Sequence, residues 1–331
     1  MKTTSVYLFS PSVPCENRCR YCLLQWDGRL LGADCARSLA YARRFYRWLR
    51  ENRPELQFVY YFGYSMEHPD LPAVLPFLQQ TGSPSGRFLQ MDGMKMRSDA
   101  QLHDLFRTLK ALGIEETNFT YYGAQDYHDR FAARAGDFAL MERSRRIAAQ
   151  EGLRVSVGIP TSKENLSQLE ALVAQFDADG IPVSLFTPHC GGRGYLLLDA
   201  KITVADYEAM PATLRKRLSR RANRTAGGGW EAPPKAPANR NFQLGLGESG
   251  MERREALPFA QILRKLEQTD EAYYALVPGF STLLPRYAEQ RDPRLYTKKD
   301  LYALYRRRYI AENRLTVTEV NDERLSGSIR Y

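Results

Sequence analysis

Short apolar, β-prone runs alternate along the chain with stretches whose apolar positions recur at helical spacing. Val6-Tyr7-Leu8-Phe9 opens the series and runs into Pro11 and Pro14. From Cys35 to Arg50, Leu39, Ala42, Phe45, Tyr46 and Leu49 fall on one helical face, with Arg43, Arg44, Arg47 and Arg50 mostly outside it as a solvated edge. Pro54 stops that helix. Phe58-Val59-Tyr60-Tyr61-Phe62 is then apolar throughout, as strands covered on both faces are. The alternation continues with a helix over 71–80, a strand over 87–91, and a helix from Ser98 to Leu112 that closes at Gly113. A strand over 117–122, a helix over 138–150, a strand over 154–159, a helix over 164–175 and a strand over 183–187 complete it. Six strands alternating with helices predict a parallel α/β architecture, either an open sheet or a barrel.

From Lys201 onward the alternation stops. Residues 204–221, 259–276 and 299–310 read as helices. A Gly- and Pro-rich stretch lies over 227–237, and residues 314–320 and 325–330 read as a hairpin around Asn321-Asp322. Charge divides at the same place. Residues 1–199 hold 23 Lys and Arg against 22 Asp and Glu, whereas residues 200–331 hold 24 against 16. A near-neutral body over 1–199 and a basic region over 200–331 follow. A basic surface suits an anionic partner such as a nucleic acid or an acidic peptide, and equally suits a solvated surface with none. At 331 residues and 44% hydrophobic, the chain can bury a large core. No apolar run approaches the roughly 20 residues of a membrane span. The start, Met1-Lys2-Thr3-Thr4-Ser5, lacks a signal peptide's apolar stretch, so a reducing, cytoplasmic location and no membrane partner are expected.

Between the first strand and the first helix lies Cys15-Glu16-Asn17-Arg18-Cys19-Arg20-Tyr21-Cys22, three thiols at C-x3-C-x2-C. A structural zinc site takes four Cys or His ligands, and the nearest further candidates, Cys35 and His68, follow no zinc spacing. A disulfide framework suits small secreted chains with even cysteine counts, whereas this longer chain has five. Thiolates also hold iron–sulfur cubanes, normally four to a cluster. Three from one loop leave one iron open to a small molecule.

This spacing, with an aromatic at Tyr21, resembles the signature of the radical S-adenosylmethionine (radical SAM) superfamily over about residues 5–199. The resemblance implies a partial (β/α)6 TIM-like barrel with a mostly helical C-terminal appendage. It also implies a [4Fe-4S] cluster on Cys15, Cys19 and Cys22 that binds S-adenosyl-L-methionine and cleaves it to a 5′-deoxyadenosyl radical. An electron donor such as flavodoxin or ferredoxin would supply the reducing equivalent.

In parallel α/β folds the chemistry sits at the C-terminal ends of the strands. After the second strand, Gly63 and Tyr64 stand where the family's Gly-Gly-Glu-Pro motif holds the SAM amino group, with Glu67 a little further on as a carboxylate for the ammonium. Met91-Asp92-Gly93 looks like the family's Thr-Asn-Gly, with a turn role for Asp-Gly. Thr120-Tyr121-Tyr122-Gly123, His128-Asp129 and 134–138 resemble a block of the peptide-modifying branch. There Thr120 falls at a hydroxyl that meets SAM, and Arg134 is the cation for its carboxylate. Pro160-Thr161-Ser162-Lys163-Glu164-Asn165 is similar to the branch's Val-Thr-Lys-x-Asn. Gly191 and Gly192, after the sixth strand, let the backbone approach the adenine. Cys190 beside them is placed as a hydrogen-atom donor, or as an inert packed thiol.

No cysteine follows Cys190, so the cysteine-rich C-terminal domain of many peptide-modifying relatives is missing. One cluster and no auxiliary centre tilt the expected outcome toward redox-neutral chemistry such as epimerisation. The substrate expected from the block is a peptide or protein side chain. The basic region, with Tyr and Arg interleaved over 305–309, supports modification of a nucleic acid instead. A non-catalytic metal-binding interaction protein is the reading from another class.

Overall fold

The computed structural model describes residues 2–9, 15–22, 34–61, 67–68, 70–188, 192–218, 239–246, 248–287, 293–296 and 298–318. The six anticipated strands are present as β1 (Lys2–Phe9), β2 (Gln57–Tyr61), β3 (Phe88–Gln90), β4 (Glu116–Thr120), β5 (Arg154–Pro160) and β6 (Val183–Phe186). A seventh, β7 (Asn239–Gly245), was not anticipated. Every strand pairing is parallel. Hydrogen bonding divides the strands into a sheet ordered β2-β1-β7 and a sheet ordered β3-β4-β5-β6; among the described residues no pairing joins the two sheets, so the barrel is partial and not closed.

The helices that cover these strands follow the apolar faces read from the sequence. They are α1 (Cys35–Asn52), α2 (Leu71–Gln80), α3 (Asp99–Ala111), α4 (Gln125–Ala132), α5 (Asp137–Gln150) and α6 (Leu166–Ala178). Helix α1 starts where Asp34 accepts from the Ala36 and Arg37 amides, and it buries Leu39, Ala42, Phe45 and Leu49. Ser98 and Gln101 form a reciprocal capping box on α3. Helix α4 was not anticipated. It is eight residues long, has Ala124 at its N-cap and gains no side-chain cap, so propensity and capping give little signal. It forms because Tyr127, His128, Phe131 and Ala132 are buried.

The region after residue 200 is less separate than its composition suggested. Strand β7 runs beside β1 from Lys2↔Asn239 to Phe9↔Gly245, and Phe242 and Leu244 join the main core. The strand was illegible because Asn239-Arg240-Asn241 is polar, and a strand of that kind is stabilised by its partner rather than by its own pattern. The other regular elements among the described residues of this region are helices: α7 (Val204–Ala209), α8 (Ala212–Leu218), α9 (Glu248–Glu255), α10 (Phe259–Leu276), α11 (Phe280–Tyr287) and α12 (Lys298–Glu312). Pro211 divides what reads as one helix over 204–221 into α7 and α8. Helices α11 and α12 share a second apolar cluster of Phe280, Leu283, Tyr287, Leu301, Tyr302 and Tyr305.

Of the Tyr and Arg interleaved over 305–309, Tyr305 and Arg306 are buried. Arg306 is buried with its guanidinium 4.2 Å from the Tyr302 ring centroid, and Arg308 pairs with Glu312. The Gly- and Pro-rich stretch and nearly all of the terminal hairpin lie outside the described residues, and residues 315–318 form no strand. No helix among the described residues is long and apolar enough to cross a membrane.

Candidate active site

The cysteine loop lies over the C-terminal ends of β3 and β4 and is fastened there by its backbone. The Glu16 amide donates to the Gly93 carbonyl at 3.0 Å, the Arg18 amide to Ala132 at 2.7 Å, and the Arg20 amide to Phe131 at 3.1 Å. Phe131 and Ala132 are the last residues of α4, whose final carbonyls have no partner within the helix. The helix turns off at Ala133 in the left-handed conformation, φ 53°, and its open end takes the loop's N–H groups.

A buried polar relay holds the same loop from behind. Asp137, 1% exposed, accepts from Asn17 Nδ2 at 2.9 Å. Its Oδ2 also lies 3.0 Å from His128 Nε2, and Arg134 Nη1 is 3.4 Å from Oδ1. His128 Nδ1 accepts from the Tyr122 amide, so Nε2 carries the proton donated to Asp137. At the other side, Arg20 pairs with Glu164, which also accepts from the Tyr127 hydroxyl at 2.9 Å. The Arg20 guanidinium holds the Glu164 carboxyl below the usual carboxylate range.

The three thiols lie in one electrostatic neighbourhood. Cys15 feels Cys22, and Cys19 feels both of the others. Burial pushes the Cys15 thiol up to about 12 and the Cys19 thiol well above its ordinary value, so without a metal these are neutral thiols rather than nucleophiles. Among the described residues, no three Cys, His, Asp or Glu side chains converge as they would on one metal ion. Three thiols on one loop are a donor set that an iron–sulfur cluster takes, with one iron left to a small molecule. Cys15 packs against Gly93, and Cys19 packs into the aromatic group of Tyr122, Tyr127 and Phe131 together with Tyr21. Tyr21 lies 5.6 Å from Phe131 and 5.8 Å, edge-on, from Tyr122.

The strand ends around the loop are tied to one another. Asp92 accepts from the Thr120 amide at 2.9 Å, the Thr120 hydroxyl at 2.8 Å and Gln90 Nε2 at 2.9 Å. Burial nonetheless pushes its carboxyl up to about 6. Asn165 donates at 2.7 Å to both the Tyr122 and Pro160 carbonyls, joining the ends of β4 and β5. Thr187, just past β6, is 3% exposed, and its hydroxyl has no hydrogen-bond partner among the described residues. An orphaned buried hydroxyl at a strand's C-terminal end fits a site that takes a polar small molecule.

The structure brings Cys15, Cys19, Cys22, Tyr21, Thr120 and Arg134 together. The Thr120 hydroxyl is engaged by Asp92 and Gln90, and Arg134 by Asn17, Asp137 and the Met94 carbonyl. Gly63, Tyr64, Cys190 and Gly191 lie outside the described residues. Gly192 opens a short 3-10 turn over 192–197. Sequence reasoning passed over Asn17, Gly93, Asp137 and the Tyr122 hydroxyl. Only the Asp-Gly turn and the His-Asp block drew attention near them.

Glu67 has a structural occupation. Its carboxylate takes Arg97 Nη1 at 2.6 Å, Nη2 at 2.9 Å and the Lys95 amide at 2.9 Å, with 6% of the side chain exposed. Burial favours the neutral acid, but Arg97 and the Lys95 amide outweigh it and hold the carboxyl below 4.5. Its stabilisation is therefore complete above 4.5 and lost as pH falls through the lowered folded value. Arg97→Ala strands the carboxylate and is expected to cost about 3 kcal/mol at neutral pH. In Glu67→Gln this part of the acid-side loss disappears, and urea titrations between pH 3 and 7 measure both.

No family model and no curated protein matches the chain. Solved structures similar to it include SuiB of Streptococcus suis bound to its precursor peptide SuiA, at 14% identity, 63% of this chain, 44% of that one and a TM-score of 0.43. Another is anSMEcpe with AdoMet and the Cp18Cys peptide, at 15%, 62%, 57% and 0.38. A third is coproporphyrinogen III oxidase (HemN) of Escherichia coli, at 13%, 66%, 51% and 0.37. That last protein is described as a radical SAM enzyme. The matched part spans about half the length of these proteins.

Proposed function

We propose that the chain is a radical SAM enzyme acting on a peptide or protein side chain. The observation that supports this is the loop of three thiols, Cys15, Cys19 and Cys22, seated on the strand ends and fastened by its backbone to Gly93, Phe131 and Ala132. Cys15, Cys19 and Cys22 would hold a [4Fe-4S] cluster. With S-adenosylmethionine bound, that cluster supplies one-electron cleavage of the sulfonium and a 5′-deoxyadenosyl radical that removes a substrate hydrogen.

The chain's own residues give the site its rigidity. Asp137, Asn17 and the end of α4 fix the loop; Asp92 and Asn165 lock the strand ends; Tyr21, Tyr122 and Phe131 exclude water from the Cys19 side. Gly63, Tyr64, Gly191, Gly192 and the Thr187 hydroxyl are the groups we assign to S-adenosylmethionine. Contacts from Thr120 or Arg134 would compete with the interactions that hold those side chains. The peptide assignment rests on the resemblance of the 120–138 block.

The test is anaerobic reconstitution with iron and sulfide, followed by reductant and S-adenosylmethionine. Four irons and four sulfides per chain and formation of 5′-deoxyadenosine are expected. Stoichiometric zinc, or a loaded cluster that yields no 5′-deoxyadenosine, overturns the proposal.

A further inference from the structure

Tyr122 is the first side chain beyond β4 whose polar atom meets the cysteine loop. It is 2% exposed, and its hydroxyl lies 3.0 Å from Cys19 Sγ. The residue is held from every side. Its amide donates to His128 Nδ1 at 3.2 Å, and its carbonyl accepts from Asn165 Nδ2 at 2.7 Å. Its ring stacks on Phe131 at 4.6 Å and 28°, lies 4.9 Å from the His128 ring, and meets Tyr21 edge-on. The rotamer is thus set by packing, and the hydroxyl reaches the sulfur with no further ordering needed.

In the free protein either atom can donate. A ligating cysteine has lost its proton, and then the phenol is the only possible donor of the two. A hydrogen bond to a ligand sulfur draws electron density from it and stabilises the more negative, reduced centre. The surroundings are aromatic, so the interaction is screened little. Tyr127, in the same aromatic cluster, sends its hydroxyl to Glu164 instead and makes an internal control.

We infer that Tyr122 is a positioning residue whose phenol donates a hydrogen bond to the Cys19 thiolate, raising the reduction potential of the centre that thiolate holds and widening the range of donors able to reduce it. This rests on the radical SAM reading for the presence of an iron–sulfur centre. It adds a residue that sets that centre's potential.

The experiment is a redox titration of the reconstituted protein, followed by EPR, without substrate. Tyr122→Phe keeps the ring and removes only the donor. It is expected to load as much iron as the wild type and to titrate at a more negative potential. Tyr127→Phe is expected to titrate as the wild type does. Fluorotyrosine incorporated at position 122, a stronger donor of the same shape, should shift the potential upward, and it decides the matter if Tyr122→Phe fails to load. Equal potentials in wild type, Tyr122→Phe and the fluorinated protein, all loaded, overturn the inference and leave the radical SAM reading standing. A negative shift of the same size in Tyr127→Phe also overturns it, because loosened packing would then be the cause. A wild type that forms no cluster is the failure of the reading itself.

Discussion

Gly93→Ala is expected to abolish cluster assembly while the protein stays folded. Gly93 follows β3 at φ +68°, a conformation that costs an L-residue about 1–2 kcal/mol. That alone would be tolerated. The larger effect is steric: a Cβ at this position lies 2.2 Å from Cys15 Sγ and 3.4 Å from Cys15 Cβ and the Glu16 amide. The thiol can escape only by rotating away or by pulling the loop off the Gly93 carbonyl, and either movement takes the sulfur from its ligating position. Gly82→Ala separates collision from strain. Gly82 has φ +70° but nothing within 4 Å of its added Cβ, so this variant should lose comparable stability and load normally. Iron and sulfide content after reconstitution, with circular dichroism for the fold, reads the result. Normal loading of Gly93→Ala would show that Cys15 is not a ligand from this position.

Asp137→Ala is expected to destabilise the protein by about 3 kcal/mol and to weaken the hold on the cysteine loop. The carboxylate is 1% exposed and serves Asn17, His128 and Arg134 together. Its removal takes the counter-charge from the half-buried Arg134 guanidinium and leaves two buried donors without this acceptor. The damage travels in two directions. Asn17 loosens within the loop, and His128 loses the contact that fixes its tautomer, which in turn frees the Tyr122 amide. Asp137→Asn keeps one acceptor oxygen and should lose less. Urea midpoints at neutral pH measure the cost, and the rate of alkylation of Cys19 in the cluster-free protein should rise in Asp137→Ala. An unchanged midpoint would show that the relay carries no stability.

The three thiols of the proposed site were visible in order along the chain; the residues that hold their loop were not. Cys15, Cys19 and Cys22 announce themselves through thiol chemistry and spacing, which survive without any fold. The strands β1 to β6 and helices α1, α3, α5, α6 and α10 were legible because each carries its own apolar run or periodic face. Strand β7 and helix α4 carry neither. Strand β7 exists because β1 offers it an open edge, and α4 because its aromatic side is buried against the loop and Leu197. The Tyr and Arg pattern over 305–309 has two readings in the sequence, since side chains that suit a nucleic acid equally suit each other; the structure shows Arg306 buried on Tyr302.

The sequence by itself determined the three-thiol loop, the parallel α/β class and the end of the strands at which to look, since these follow from residue type and local periodicity. Tertiary structure alone decided that Gly93 backs Cys15, that Asp137 reaches Asn17 across 120 positions of chain, and that Tyr122 meets Cys19 across 103. Such contacts join residues with no shared period or neighbourhood. They arise only once burial has packed the loop, α4 and the ends of β3 and β4 into one place.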